Sequence, residues 1–138
     1  MIVYTQDKCF TKVQIEALFK AVRWHSGDYP SRLYKALLNS STVITAWDGN
    51  RLVGLARALD DTELVAYIKY VLVHPDYQGQ GIAGNLIELL KEKYKDYLYI
   101  DGMPDENKNV SFYVKHGFTV LEEGAPIQIW NRDIKLMY

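Results

Sequence analysis

The stretch VLVHPDYQGQGIAGNLIELLKEKY, Val71 to Tyr94, decides the fold. An apolar run stops at Pro75, which has no N–H to give to a strand ladder, and resumes as a glycine-rich loop that opens an amphipathic helix. From Gly81 onward Ala83, Leu86, Ile87, Leu90 and Tyr94 keep helical spacing, while Glu88, Lys91, Glu92 and Lys95 take the opposite face. The first N–H groups of a helix have no intrahelical partner and carry a partial positive charge, so an anion placed there gains hydrogen bonds and field together. Gly79 and Gly81 put no side chain in the way.

Working outward, Glu63 to Val73 reads as a long, nearly continuous apolar strand of the kind that lies centrally, and Tyr97 to Ile100 as the strand after the helix. A right-handed crossover through the helix then makes these two strands parallel neighbours. Upstream, Ile2 to Tyr4 reads as a first strand, and Thr11 with Gln14 as a capping box opening a helix whose apolar face is Ile15, Leu18, Phe19 and Val22. His25-Ser26-Gly27-Asp28-Tyr29-Pro30 interrupts it, and a second helix, Ser31 to Leu38, carries Leu33, Tyr34, Leu37 and Leu38. Strands Thr42 to Trp47 and Arg51 to Leu59 flank the turn Asp48-Gly49-Asn50, and Asp60-Asp61-Thr62 makes the next turn. Downstream, Asn107 to His116 reads as a short helix stopped at Gly117, and Phe118 to Leu121 with Ile127 to Trp130 as a terminal strand pair. The prediction is an α/β fold, a mixed sheet flanked by helices in a single domain over residues 1–138, with antiparallel hairpins in its first half.

Composition narrows the setting. Hydrophobic residues at 49% and charged residues at 24% are ordinary globular usage, and a formal charge of −1 offers no global basic field for nucleic acid or an anionic membrane. Cys9 is the single cysteine, so no intrachain disulfide is available; a reducing interior, with Cys9 buried and inert, is expected. The start lacks the pattern of a signal peptide, and no apolar run has the length of a membrane span, so a cytoplasmic protein with no membrane partner is expected. The sequence shows no metal-ligand pattern.

Gly79, Gly81 and Gly84 satisfy GxGxxG, and Asp101 lies where a ribose-binding acid would fall. The dinucleotide reading fails because His74 to Gln78 intervene between strand and first glycine, and too few residues follow Gly84 for a repeated βαβ unit. A Walker loop fails because no Lys-Ser or Lys-Thr follows the glycines. A ligand-free strand-to-helix turn is the bland alternative. Against it, Val73 to Ala83 resembles the acyl-coenzyme A signature of the GNAT superfamily of N-acetyltransferases, Gln/Arg-x-x-Gly-x-Gly/Ala after a strand ending Val-x-Pro, with Gln78, Gly81 and Ala83 in the defining slots. NKNVSFYVKHGF, Asn107 to Phe118, is similar to the family's late helix, in which a tyrosine, here Tyr113, precedes a Gly-Phe pair. Asn109 stands where the family usually has alanine, and Asn107 is one residue nearer the tyrosine than usual.

The resemblance implies the GNAT fold, its mixed sheet splayed at the cofactor site. It also implies acetyl-coenzyme A as cosubstrate, a phosphate cradle made by Gln78, Gly79, Gln80, Gly81, Ile82, Ala83 and Gly84, and a pantetheine path beside Leu72 and Val73. Acetyl passes directly to a primary amine, that of a small molecule in the leading reading; a protein amino terminus or lysine, or an acyl-coenzyme A sensor without turnover, are the alternatives. Tyr113 is the implied acid, although Val110, Tyr113 and Val114 also make an apolar helix face. Glu63, Tyr67, Tyr70 and Asp101 are open candidates for the base, since strand register decides which of them face the cleft. His74 reads as a hydrogen-bonded turn residue. His25, in an aromatic-rich loop between the first two helices, borders the implied acceptor site. The apolar ending Ile134 to Tyr138 leaves room for a homodimer contact.

Overall fold

The computed structural model describes residues 1–104 and 109–131. Two compact units divide the chain, Met1–Gly102 and Met103–Tyr138. The first holds β1 (Ile2–Thr5), α1 (Lys12–Ala21), α2 (Pro30–Leu38), β2 (Thr42–Asp48), β3 (Arg51–Asp60), β4 (Val65–Val73), α3 (Ile82–Lys93) and β5 (Tyr99–Gly102), with single 3₁₀ turns at His25–Asp28 and Pro75–Tyr77. The strands form one open sheet in the order β1-β2-β3-β4-β5, antiparallel up to β4, with β5 added parallel to β4 across α3.

Local sequence accounts for most of these elements. Thr11 accepts from the Gln14 amide and the Gln14 side chain accepts from the Thr11 amide, so the predicted capping box is present in full. α1 buries Ile15, Leu18 and Phe19, and α2 buries Leu33 and Leu37, against Val43, Leu52, Leu55 and Leu72 of the sheet. Each such side chain contributes about 1.5–3 kcal/mol by leaving water. α3 covers the other face with Ile82, Leu86, Ile87 and Leu90. Strand alternation lines that face with Ala46, Gly54, Ala56, Ala58 and Ala66, whose small size lets the helix lie close. A Cβ on Gly54 would meet Ile82 Cγ2 at 3.0 Å, so this glycine fixes how near the first residue of α3 sits to the sheet.

Three expectations change. Cys9 is exposed, because it lies in the connection before α1 and not on the face that packs inward. Tyr97 does not enter β5; its amide closes a turn onto the Tyr94 carbonyl and its ring packs edge-on against Tyr94, so the strand starts at Tyr99. In the second unit α4 spans Val110–Lys115, and its last turn closes as Gly117 and Phe118 donate to Val114 and Tyr113 carbonyls. No strand follows it among the described residues: Ile127 and Ile129 are 94% and 86% exposed. Alternation is present there, yet a two-stranded pair without an apolar surface to cover is marginal. Asn107 and the segment Ile134 to Tyr138 lie outside the described residues.

Candidate functional site

β4 changes character part-way along. Ala56 pairs with Val71 but Ala58 with Ile68, so Lys69 and Tyr70 together oppose the single residue Arg57, which is a β-bulge. Tyr70 takes φ +91°, a region costly for a bulky side chain and tolerated where surrounding structure holds it. Pairing with β5 ends at Ile68↔Gly102, immediately before the bulge. Beyond it β4 has β3 on one side only. The His74 amide donates to Val53 O at 2.8 Å, and antiparallel alternation then turns the main-chain groups of Leu72 toward Leu55 and those of Val71 and Val73 toward the open side. The Gln78 side-chain amide donates to Val73 O at 3.2 Å from that side.

The loop that follows is braced at its outer rim. His74 Nδ1 accepts from the Asp76 amide, the Tyr77 hydroxyl donates to Asp48, and Arg51 reaches Asp76 at 3.4 Å while lying over the Tyr77 ring. The Asp48 carboxylate holds the Tyr77 phenol above its ordinary pKa. Gly81 is the N-cap of α3 at φ +82°, with open space where a Cβ would stand, so backbone conformation and not crowding demands glycine there. The first intrahelical bond runs from Asn85 N to Gly81 O. The amides of Ile82, Ala83 and Gly84 precede the first intrahelical bond, and they open α3 beside the parted strand. Free donors at a helix start fit a pyrophosphate, and an unpaired strand edge fits an extended chain of amides.

The other residues singled out from the sequence are distributed as follows. Tyr67 and Tyr70 are half-buried on β4, Asp101 is exposed on β5, and Glu63 is exposed in the turn where Asp61 accepts the amides of Glu63, Leu64 and Val65, bonds that hold the Asp61 carboxyl below its usual range. His74 is the hydrogen-bonded turn residue expected. His25 packs edge-on against Tyr29 and lies 3.4 Å from Asp28. Tyr113, in the second unit, is half-buried on α4 between Phe112 and Phe118, with ring centroids at 5.1 and 5.5 Å. Sequence reasoning missed Gly54, Arg57 and Ser26. A glycine inside an apolar strand was the available signal for the first. Nothing in the spacing marked the other two. Among the described residues no three His, Cys, Asp or Glu side chains are grouped to hold a metal ion, and no helix is long and apolar enough to cross a membrane.

This geometry agrees with comparison to known proteins. The model of the acetyltransferase (GNAT) family matches residues 8–118. The chain belongs to the GNAT family. As a member it is an acyltransferase of the acetyltransferase type, with the GNAT fold. It is 33% identical over 94% of its length to an uncharacterized N-acetyltransferase, ycf52, of Porphyra purpurea, covering 76% of that protein. It is 36% identical over 94% of its length to the histone acetyltransferase TAP1 of Glycine max, covering 61% of it. A GNAT-family acetyltransferase structure from Streptococcus pneumoniae superposes with a TM-score of 0.79 at 28% identity, over 94% of this chain and 97% of that one.

Proposed function

We propose that this GNAT enzyme transfers acetyl from acetyl-coenzyme A directly to the primary amine of a small molecule in the cytoplasm. The parting of β4 from β5, beside the glycine-capped start of α3, is the observation that carries the reading. The amides from Gln78 to Gly84 receive the diphosphate, with Gln78 tying the loop to Val73 O. The pantetheine amides extend the sheet along Val71 and Val73, while Leu72 keeps the edge in place through its bonds to β3. An open-side N–H of Val71 or Val73 meets the thioester carbonyl and stabilises charge on its oxygen as the amine attacks. The amine, with an ordinary pKa near 10, must shed a proton to attack; the carbon–sulfur bond breaks as the amide forms, and the departing thiolate takes a proton. Tyr113 is assigned that donation on its place in the motif before Gly117-Phe118.

The near-neutral charge and the aromatic loop of Trp24, His25 and Tyr29 favour a small acceptor with an apolar body. A protein acceptor is the second reading, favoured by the soybean histone acetyltransferase. Thiol release across a panel of amines and peptides decides between them. Acetyl-coenzyme A should raise Tm increasingly with concentration, and no shift at saturation overturns the proposal. Tyr113→Phe should lower kcat far more than cofactor affinity; unchanged kcat removes its role.

A further inference from the structure

Arg57 is the residue that the β4 bulge faces, and its chemistry is unspent. It is half-buried, and its guanidinium lies 5.2 Å from the Tyr70 ring centre. Nε donates to Ser40 Oγ at 2.8 Å, and the Ser40 hydroxyl donates onward to Ala36 O at 2.6 Å, which fixes the plane of the fork. Among the described residues no carboxylate pairs with it and its terminal nitrogens have no protein acceptor, and since no buried side-chain nitrogen lacks a partner these nitrogens reach solvent. Burial pulls the group below its ordinary pKa, with Tyr70 opposing the shift, yet a guanidinium stays charged at any physiological pH. Its neighbour Tyr70 turns a hydroxyl to Ser26 Oγ at 2.7 Å in the loop after α1 and packs on Phe19 and Trp24. A charged fork held rigid over an aromatic ring, with free parallel N–H groups, is built for a carboxylate.

We infer that Arg57 is a specificity-determining residue that binds a carboxylate on the acceptor, so that the preferred amine is a free amino acid. The inference rests on the acetyl-transfer reading above: Tyr70, on which Arg57 stacks, directly precedes Val71, whose amide faces the open edge. The anchor on β3 and the reacting edge on β4 thus lie on adjacent paired strands, and an acceptor held by its carboxylate brings a nearby amino group toward that edge. Trp24 and Tyr70, half-buried and packed together over the buried Phe19, favour side chains with apolar surface.

The test compares each of the common amino acids with its own carboxamide, which keeps shape and removes the charge. In the wild-type protein the best free acid should exceed its amide in kcat/KM by about ten- to hundredfold, the range of a charge-assisted hydrogen-bond pair, with most of the difference in KM. Arg57→Gln should erase that preference and Arg57→Lys should restore part of it. Equal rates for acid and amide in the wild type, or acetylation confined to peptides and amines that lack a carboxylate, overturns the inference and leaves acetyl transfer standing. A readout independent of turnover is the Arg57 Nε–H resonance titrated with propionate: a saturable shift supports the anchor and its absence overturns it. Failure of the acetyl-transfer reading instead shows as no stabilisation by acetyl-coenzyme A.

Discussion

The two halves of β4 share a strand and differ in what their backbones do. Val65 to Ile68 lie between β3 and β5 and spend their main-chain groups on both neighbours. After the bulge, Val71 to Val73 have β3 alone, and every second residue offers an amide and a carbonyl to the open side. The first half is anchored further, since Asp60, opposite Ala66, accepts from the buried Tyr94 hydroxyl, which also meets Thr42 at 2.6 Å. One inserted residue therefore separates a stretch that only holds the sheet together from a stretch whose backbone is available to a substrate.

Proline substitutions test this division most severely. Val73→Pro removes an open-side N–H and leaves the β3 ladder whole, so kcat/KM should fall about a hundredfold or more while Tm moves little. Leu72→Pro removes a ladder bond and strands the acceptor opposite it, costing about 1–3 kcal/mol, and should lower Tm clearly more. Equal losses of Tm in the two variants would show that both edges of the half-strand are engaged, and the contrast would fail. A smaller effect is expected at the helix start. Gly81→Ala at φ +82° costs about 1–2 kcal/mol of local conformation, which should weaken acetyl-coenzyme A binding about tenfold in calorimetry. An unchanged Kd would mean that the loop does not hold the cosubstrate.

The smallest effect belongs to the anchored half. Tyr94→Phe should cost about 1 kcal/mol of stability and leave the acetyl-coenzyme A Kd as it was. Burial, with the Asp60 carboxylate close by, holds the folded phenol well above its ordinary value of 10.0. The stability it supplies is therefore whole below pH 10 and is lost progressively above it, as the unfolded chain releases a proton that the folded chain keeps. Tm measured from pH 9 to 11.5 should fall less steeply in Tyr94→Phe; parallel curves would remove Tyr94 from the anchor.

Much of this could be read in advance. The Thr11–Gln14 box, the buried faces of α1 and α3, the Gly49 turn and the crossover through α3 are set by residues close together in sequence. The terminal strand pair was misread because alternation at Val120, Ile127 and Ile129 reports a capacity to pair and nothing about a surface to pair on. Arg57 and Ser26 were missed for a related reason: each acquires meaning only through Tyr70, a residue distant in the chain.

By itself the sequence determined the order of strands and helices up to β5, the glycine turn that opens α3, and the family, because caps, periodicity and short motifs act over a few residues. Only the tertiary structure decided that β4 bulges at Lys69–Tyr70, that β5 leaves it at Ile68, and that Arg57 lies over Tyr70 with no carboxylate paired to it among the described residues. A bulge is a mismatch in count between two strands, and a missing neighbour is a property of the sheet, so neither exists until the strands have paired.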